Sequence, residues 1–251
     1  MADAYIIETR ELSKEFKGFA AVSEVNLRVR RGSIHALIGP NGAGKTTVFN
    51  LLTKFLEPTR GRILYDGRDI TRSRPAALAR DGMVRSFQIS ATFPHLTVLE
   101  NVRIALQRRL GISFHFWRSE ASLDVLNERA RQLIEAVGLA GFEGSTAAEL
   151  PYGRKRALEI ATTLALEPKL LLLDEPTAGM GHEDVGRVAE LIRTVAKDRT
   201  VLMVEHNLSV VADLSDVITV MQRGRILAEG SYAEVSNDPE VREAYMGTGH
   251  A

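Results

Sequence analysis

Apolar and polar residues follow two periods along this chain. Ile6-Ile7, then Val25, Leu27 and Val29, alternate with polar neighbours at period two, so the segment up to Ile38 reads as short strands with a turn at Arg31-Gly32. Ile34 to Ile38 is mostly apolar, as a strand covered on both faces must be, and it stops at Gly39-Pro40-Asn41-Gly42. A helix is expected from Thr46 to Phe55, and a strand from Arg62 to Tyr65 before the turn pair Asp66-Gly67. From Val98 to about Leu139 the pattern turns helical: Leu123, Leu126, Ala130, Leu133, Ile134 and Val137 recur at helical spacing until Gly138. A further helix runs from about Gly153 to Leu166 and stops before Pro168. Leu170 to Leu173 and Thr200 to Val204 are buried strands, while Val185 to Val195 and Leu208 to Leu214 are helices. Strands alternating with helices imply an α/β fold with a mostly parallel sheet. The stretch from about 90 to 165 interrupts that alternation as an inserted helical subdomain.

Composition narrows the class. The chain has 251 residues, enough to bury a sizeable core. Lys+Arg and Asp+Glu both number 32, so no overall field draws it to nucleic acid or anionic lipid. Cysteine is absent, which excludes disulfides and thiolate metal sites. Met1 to Arg10 has no charged head followed by an apolar run, so no signal peptide is expected. The Leu170–Leu173 run falls far short of the ~20 apolar residues a bilayer span needs. Contact with a membrane is therefore expected through a partner or the surface.

Gly39-Pro40-Asn41-Gly42-Ala43-Gly44-Lys45-Thr46 fits the pattern G-x-x-x-x-G-K-[ST], with a strand before it and a helix after it. The glycines let main-chain N–H groups turn inward and approach phosphate oxygens closely. The helix start adds its positive end. Lys45 supplies a mobile cation for the β- and γ-phosphates, and the Thr46 hydroxyl can ligate Mg²⁺.

Asp174 and Glu175 end the buried run Leu170–Leu173, and in open α/β sheets ligands sit at the carboxyl ends of strands. There Asp174 can orient water around Mg²⁺, and Glu175 can polarise the attacking water. His206 stands just past the strand Thr200–Val204. Gln88 follows Val84-Arg85-Ser86-Phe87 and by itself is an ordinary polar loop residue.

Taken together, phosphate loop, Gln88, the segment Leu150-Pro151-Tyr152-Gly153-Arg154, the acidic strand and His206 resemble, in that order, the nucleotide-binding domain of ABC transporters. Leu150–Arg154 stands where that family has its Leu-Ser-Gly-Gly-Gln signature. The resemblance covers nearly the whole chain. It implies a RecA-like P-loop NTPase core with an N-terminal antiparallel β subdomain (residues 1–89 and 166–251) and a helical subdomain of about 90–165 carrying the signature. It also implies roles. Phe16 would stack on adenine; Lys45, Thr46 and Thr47 would contact phosphate and Mg²⁺; Gln88 would touch Mg²⁺ and sense a membrane partner. Glu175 would be the catalytic base and His206 the γ-phosphate switch. Gly153 would meet the γ-phosphate held by an opposite subunit, so two ATP molecules join a homodimer or heterodimer of ATPases bound to membrane permeases on the cytoplasmic face. The Leu-Pro-Tyr-Gly spelling, the insert with Leu110 to Arg118, and the tail Asp238 to Tyr245 resemble the LivG-type subunits of branched-chain amino acid importers.

Departures from the family pattern are specific. Pro151 replaces the signature serine, Arg154 the glutamine, and Gly181 a common Asp or Asn. These imply that the ATP site completed by this signature turns over more slowly than its counterpart. The cluster Ile112 to Trp117 is either packing within the insert or a docking surface. Rival functions are an exporter or lipid-extracting ATPase, a non-transport ABC ATPase acting on DNA or ribosomes, and a nucleotide-binding regulator without turnover. The last is disfavoured because Glu175 and His206 are both present.

Overall fold

The computed structural model describes residues 4–86, 92–110 and 124–246. Its elements in chain order are β1 (Tyr5–Phe16), β2 (Phe19–Val25), β3 (Arg28–Arg30), β4 (Ile34–Ile38), α1 (Lys45–Leu52), β5 (Arg60–Tyr65), β6 (Arg68–Asp69), α2 (Pro75–Arg80), β7 (Met83–Ser86), α3 (Val98–Leu110), α4 (Asn127–Ala136), α5 (Tyr152–Leu164), β8 (Leu170–Asp174), α6 (His182–Ala196), β9 (Thr200–Val204), α7 (Leu208–Leu214), β10 (Val217–Gln222), β11 (Arg225–Gly230), α8 (Tyr232–Asn237) and α9 (Pro239–Met246).

Six strands form the main sheet in the order β11-β10-β4-β9-β8-β7. All neighbours are parallel except β10 and β11. The apolar runs in β8 and β9 follow from this position, because both faces of the sheet are covered. Leu170, Leu172, Leu202 and Val204 face one layer with Phe49 and Leu52 of α1. Leu171, Leu173, Val201 and Met203 face the other with Leu158 of α5 and Val188 and Ile192 of α6. Each such leucine is almost fully buried, which stabilises the fold by about 1.5–3 kcal/mol per side chain. His35 of β4 is also fully buried, with Nε2 2.7 Å from the Thr219 hydroxyl. Burial pushes its imidazole down to about 4, so it packs as a neutral group.

A second, antiparallel sheet has the order β2-β1-β5-β6, with β3 also against β1. The short strands expected at the start include one strand of 12 residues, β1. Glu11 has φ 51°, and the pairing shifts register between Leu12 and Lys14. This bulge slips the buried phase from Ile7 and Thr9 to Leu12, so the period-two signal breaks although the strand continues.

Between β7 and β8 the chain places α3, α4 and α5, packed on one another through residues such as Val102, Ile134 and Leu158. Thr97 and Glu100 open α3 with a reciprocal cap: Glu100 N donates to Thr97 Oγ1, and Thr97 N to Glu100 Oε2. The helical pattern read from Val98 to Leu139 is two helices here; residues 111–123, with the Ile112–Trp117 cluster, lie outside the described residues. Helix α1 ends at Leu52, before the expected Phe55. Lys54 adopts φ 62° and turns its amine to the Thr71 carbonyl, which reverses the chain and leaves Phe55 exposed. No helix among the described residues is long and apolar enough to cross a membrane.

Candidate nucleotide site

The main sheet brings the candidate residues to the carboxyl ends of neighbouring strands. Lys45 follows β4, His206 follows β9, and Asp174 ends β8 with Glu175 next after it, three strands that lie side by side. Gln88 follows β7, next in the sheet, and itself lies outside the described residues.

The loop from Gly39 to Gly44 has a backbone only glycine supports at two close approaches. Gly39 has φ 147°, and a Cβ there would stand 2.1 Å from the Met221 carbonyl oxygen. Gly44 has φ 101°, and a Cβ there would stand 2.7 Å from the Ala21 carbonyl oxygen. Gly44 also caps α1, so the first N–H groups of that helix have no side-chain partner at the cap and open toward the loop. Pro40, Asn41, Gly42 and Ala43 complete the turn, with Ala43 N donating to Pro40 O at 3.2 Å. Lys45 Nζ donates to the carbonyls of Gly39 at 2.6 Å and Pro40 at 3.0 Å. Partial burial lowers the Lys45 pKa, and the Glu175 carboxylate opposes that shift. Thr46 is exposed and Thr47 half-buried on the first turn of α1.

Asp174 is buried and ion-paired with Arg85 of β7. Arg85 also donates to Asn50 Oδ1 at 2.6 Å, which ties the acidic strand end to α1. Glu175 has φ 45°, a left-handed conformation that costs a non-glycine residue of order 1–3 kcal/mol. Its N–H donates to Val204 O at 2.9 Å, so β9 holds the strained residue in place.

Phe16 ends β1 with its ring 42% exposed and the Lys14 ammonium 5.2 Å from the ring centroid. It pairs with Phe19 of β2, the strand whose Ala21 carbonyl abuts Gly44. Gly153 is placed elsewhere, on the first turn of α5 against α6, where a Cβ would stand 2.6 Å from Asp184 Oδ1. The Tyr152 hydroxyl donates to Ala178 O at 3.3 Å, and the Arg154 guanidinium lies 4.0 Å from the Phe142 ring centroid. Pro151 and Gly181 cap α5 and α6 without side-chain hydrogen bonds.

Sequence reasoning passed over Glu205, which is fully buried between the two strand ends. Its carboxylate accepts from the Thr177 hydroxyl at 2.7 Å, Thr177 N at 3.3 Å, His206 N at 2.8 Å and Asn207 N at 3.0 Å. It thereby locks the loop after Glu175 to the loop that carries His206. The available signal was a charged residue continuing a buried strand, since buried carboxylates occur only when paired. In Glu205→Gln the amide NH₂ would point either at the His206 and Asn207 N–H groups or at Thr177, so buried main-chain N–H donors would lose their acceptor. Chemical denaturation of the variant should show a loss of about 1–3 kcal/mol, the cost of buried groups left unpaired; an unchanged midpoint would remove this role.

The hard oxygen donors present fit Mg²⁺. Among the described residues no three His, Asp or Glu side chains cluster as a cage. Mg²⁺ is usually held by one or two protein groups together with substrate phosphates and water. Thr46 has a hydroxyl and Asp174 a carboxylate of that donor type.

Comparison with known proteins bears on the same residues. Residues 22–178 match the ABC transporter family, and residues 225–251 match the branched-chain amino acid ATP-binding cassette transporter family. The chain is 38% identical to the high-affinity branched-chain amino acid transport ATP-binding protein BraF of Pseudomonas aeruginosa, covering 96% of this chain and 98% of that one. It is 37% identical to LivG of Escherichia coli, a protein of the same description, with the same coverage. A crystal structure of an ABC transporter's ATP-binding cassette in its ADP conformation superposes with a TM-score of 0.85 at 33% identity, covering 97% of this chain and 99% of that one. A nucleotide-free cassette superposes at 0.82 with 30% identity, covering 96% and 98%.

Proposed function

The chain belongs to the ABC transporter ATP-binding family, and on that premise we propose that it powers import of branched-chain amino acids or a closely related small solute. As a member of that family it is an ATP-binding, ATP-hydrolysing transporter subunit with the ABC cassette fold. The cargo assignment rests on relatives named for branched-chain amino acid transport and on a C-terminal segment that matches the same group.

In this reading the loop Gly39–Gly44 cradles the triphosphate with its N–H groups, and Phe16 stacks on the adenine. Lys45 exchanges the Gly39 and Pro40 carbonyls for the β- and γ-phosphates. Thr46, Asp174 and Gln88 hold Mg²⁺, which supplies charge neutralisation on the phosphates, and Thr47 adds a phosphate contact. Glu175 orients and polarises the attacking water, and His206 reads the γ-phosphate. Positioning and charge neutralisation suffice for phosphoryl transfer, so this short set is enough. Gly153 reaches the nucleotide held by a second ATPase subunit, a second copy or a different chain. The dimer sits under integral-membrane permeases on the cytoplasmic face. The observation that carries the reading is that the glycine-rich loop with Lys45, the Asp174–Glu175 pair and His206 follow the carboxyl ends of β4, β8 and β9, three strands side by side in one sheet.

The test is purification of the full chain from membranes of cells that make it, followed by ATP-driven uptake in proteoliposomes. Hydrophobic permease chains should accompany it, and leucine, isoleucine or valine should be taken up. Co-purification with nucleic-acid or ribosomal proteins alone would overturn the transport role. Uptake of an unrelated solute only would overturn the cargo.

A further inference from the structure

Helix α5 starts against the loop that leads from β8 into α6. Gly153 sits in its first turn, and a Cβ there would stand 2.6 Å from Asp184 Oδ1 and 3.2 Å from the Asp184 Cβ of α6. Gly153 and Arg154 share the wall of a cavity of about 450 Å³ with Asp184 and Arg187. One residue earlier, the Tyr152 hydroxyl donates to Ala178 O at 3.3 Å. Tyr152 is 58% exposed, so core packing does not account for an aromatic ring at this position.

Ala178 closes the turn that Glu175 begins. Its N–H donates to Glu175 O at 3.1 Å, and Pro176 stands at the second position, where its ring fixes φ. Glu175 keeps its left-handed φ of 45°, a conformation that persists only where the surroundings over-determine it. Val204 O holds the Glu175 N–H at 2.9 Å, and Glu205 accepts from the Thr177 hydroxyl at 2.7 Å. Those two ties come from β9 and the residue after it. The tie on Ala178 comes from α5, one of the helices placed between β7 and β8.

We propose that Tyr152 is a positioning residue for hydrolysis: its hydroxyl holds the turn Glu175–Ala178 from α5 and so keeps Glu175 in the strained conformation from which it acts on water. The tyrosine stands where the Leu-Ser-Gly-Gly-Gln signature has a glycine, which has no side chain to make such a tie. Small displacements of a catalytic group are costly to the rate, so a bond made one turn away from it is felt in the chemical step. The inference rests on the reading of Glu175 as the base.

The experiment measures single-turnover hydrolysis of saturating ATP by the full-length chain in the complex it purifies with. It compares the parent, Tyr152→Phe, Glu175→Gln and the double variant. Tyr152→Phe keeps the ring and removes only the hydroxyl, so the rate should fall about threefold, as for loss of one weak hydrogen bond. ATP affinity should stay within about twofold, because the phosphate loop is untouched. Amides of Thr177 to Met180 should exchange faster with deuterium in Tyr152→Phe. In the Glu175→Gln background the same substitution should leave the residual rate unchanged, because the hydroxyl acts through that carboxylate. Glu175→Gln hydrolysing at the parent's rate would sink the reading of Glu175 as the base. With Glu175→Gln slow, a Tyr152→Phe rate equal to the parent's, or turn amides that exchange no faster, overturns the tie alone. So does a threefold loss that persists in the double variant.

Discussion

Glu175→Gln is expected to bind ATP as tightly as the parent and hydrolyse it about 10²–10⁴-fold more slowly, the range lost when a general base is removed. The substitution keeps shape and volume, and the main-chain tie to Val204 does not involve the side chain. What disappears is the carboxylate just past the end of β8, whose charge opposes the lowering of the Lys45 pKa. Removing one negative charge beside a polyanion does not weaken binding, so the block falls on the chemical step. The ATP-bound dimer should then persist, and size-exclusion chromatography with ATP should show it where the parent shows monomer. Single-turnover phosphate release measures the chemistry. A rate equal to the parent's would take Glu175 out of the mechanism.

Lys45→Ala should act at the preceding step. Lys45 is the cation whose Nζ now rests on two loop carbonyls, so it can swing to phosphate without disturbing the core. A charge-assisted contact to phosphate contributes about 1.5–3 kcal/mol, so ATP affinity should fall about 10–150-fold. Transport in the assembled complex should be abolished. The melting temperature should hardly move, because Lys45 is only half-buried and among the described residues its amine bonds carbonyls of its own loop. Hydrolysis retained at the parent's level would contradict the assignment of the loop.

These two residues were legible in the chain because their chemistry is local. A phosphate loop is one stretch of backbone, and Gly39, Gly44 and Lys45 carry its requirements in adjacent positions. Asp174 and Glu175 were legible for a related reason: a buried aliphatic run that ends in two acids marks a strand end. Where the signal failed, a competing local effect was at work. The bulge at Glu11 broke the alternation, so a strand of 12 residues read as a short one. Lys54 turned the chain before Phe55 could extend α1. Beyond Leu214 the reading assigned no elements, yet β10 and β11 complete the main sheet and α8 and α9 follow.

The amino-acid sequence by itself therefore determined the α/β class, the phosphate loop, the acidic strand end and the family. Each is written in contiguous residues or in their order. The tertiary structure alone decided that Arg85 pairs with Asp174 and that Glu205 joins the loops after β8 and β9. The physical reason is pairing between distant segments. The β4-β9-β8-β7 order brings together side chains far apart in the chain, such as Arg85 and Asp174, 89 positions apart. No local periodicity records which partner a buried charge will find.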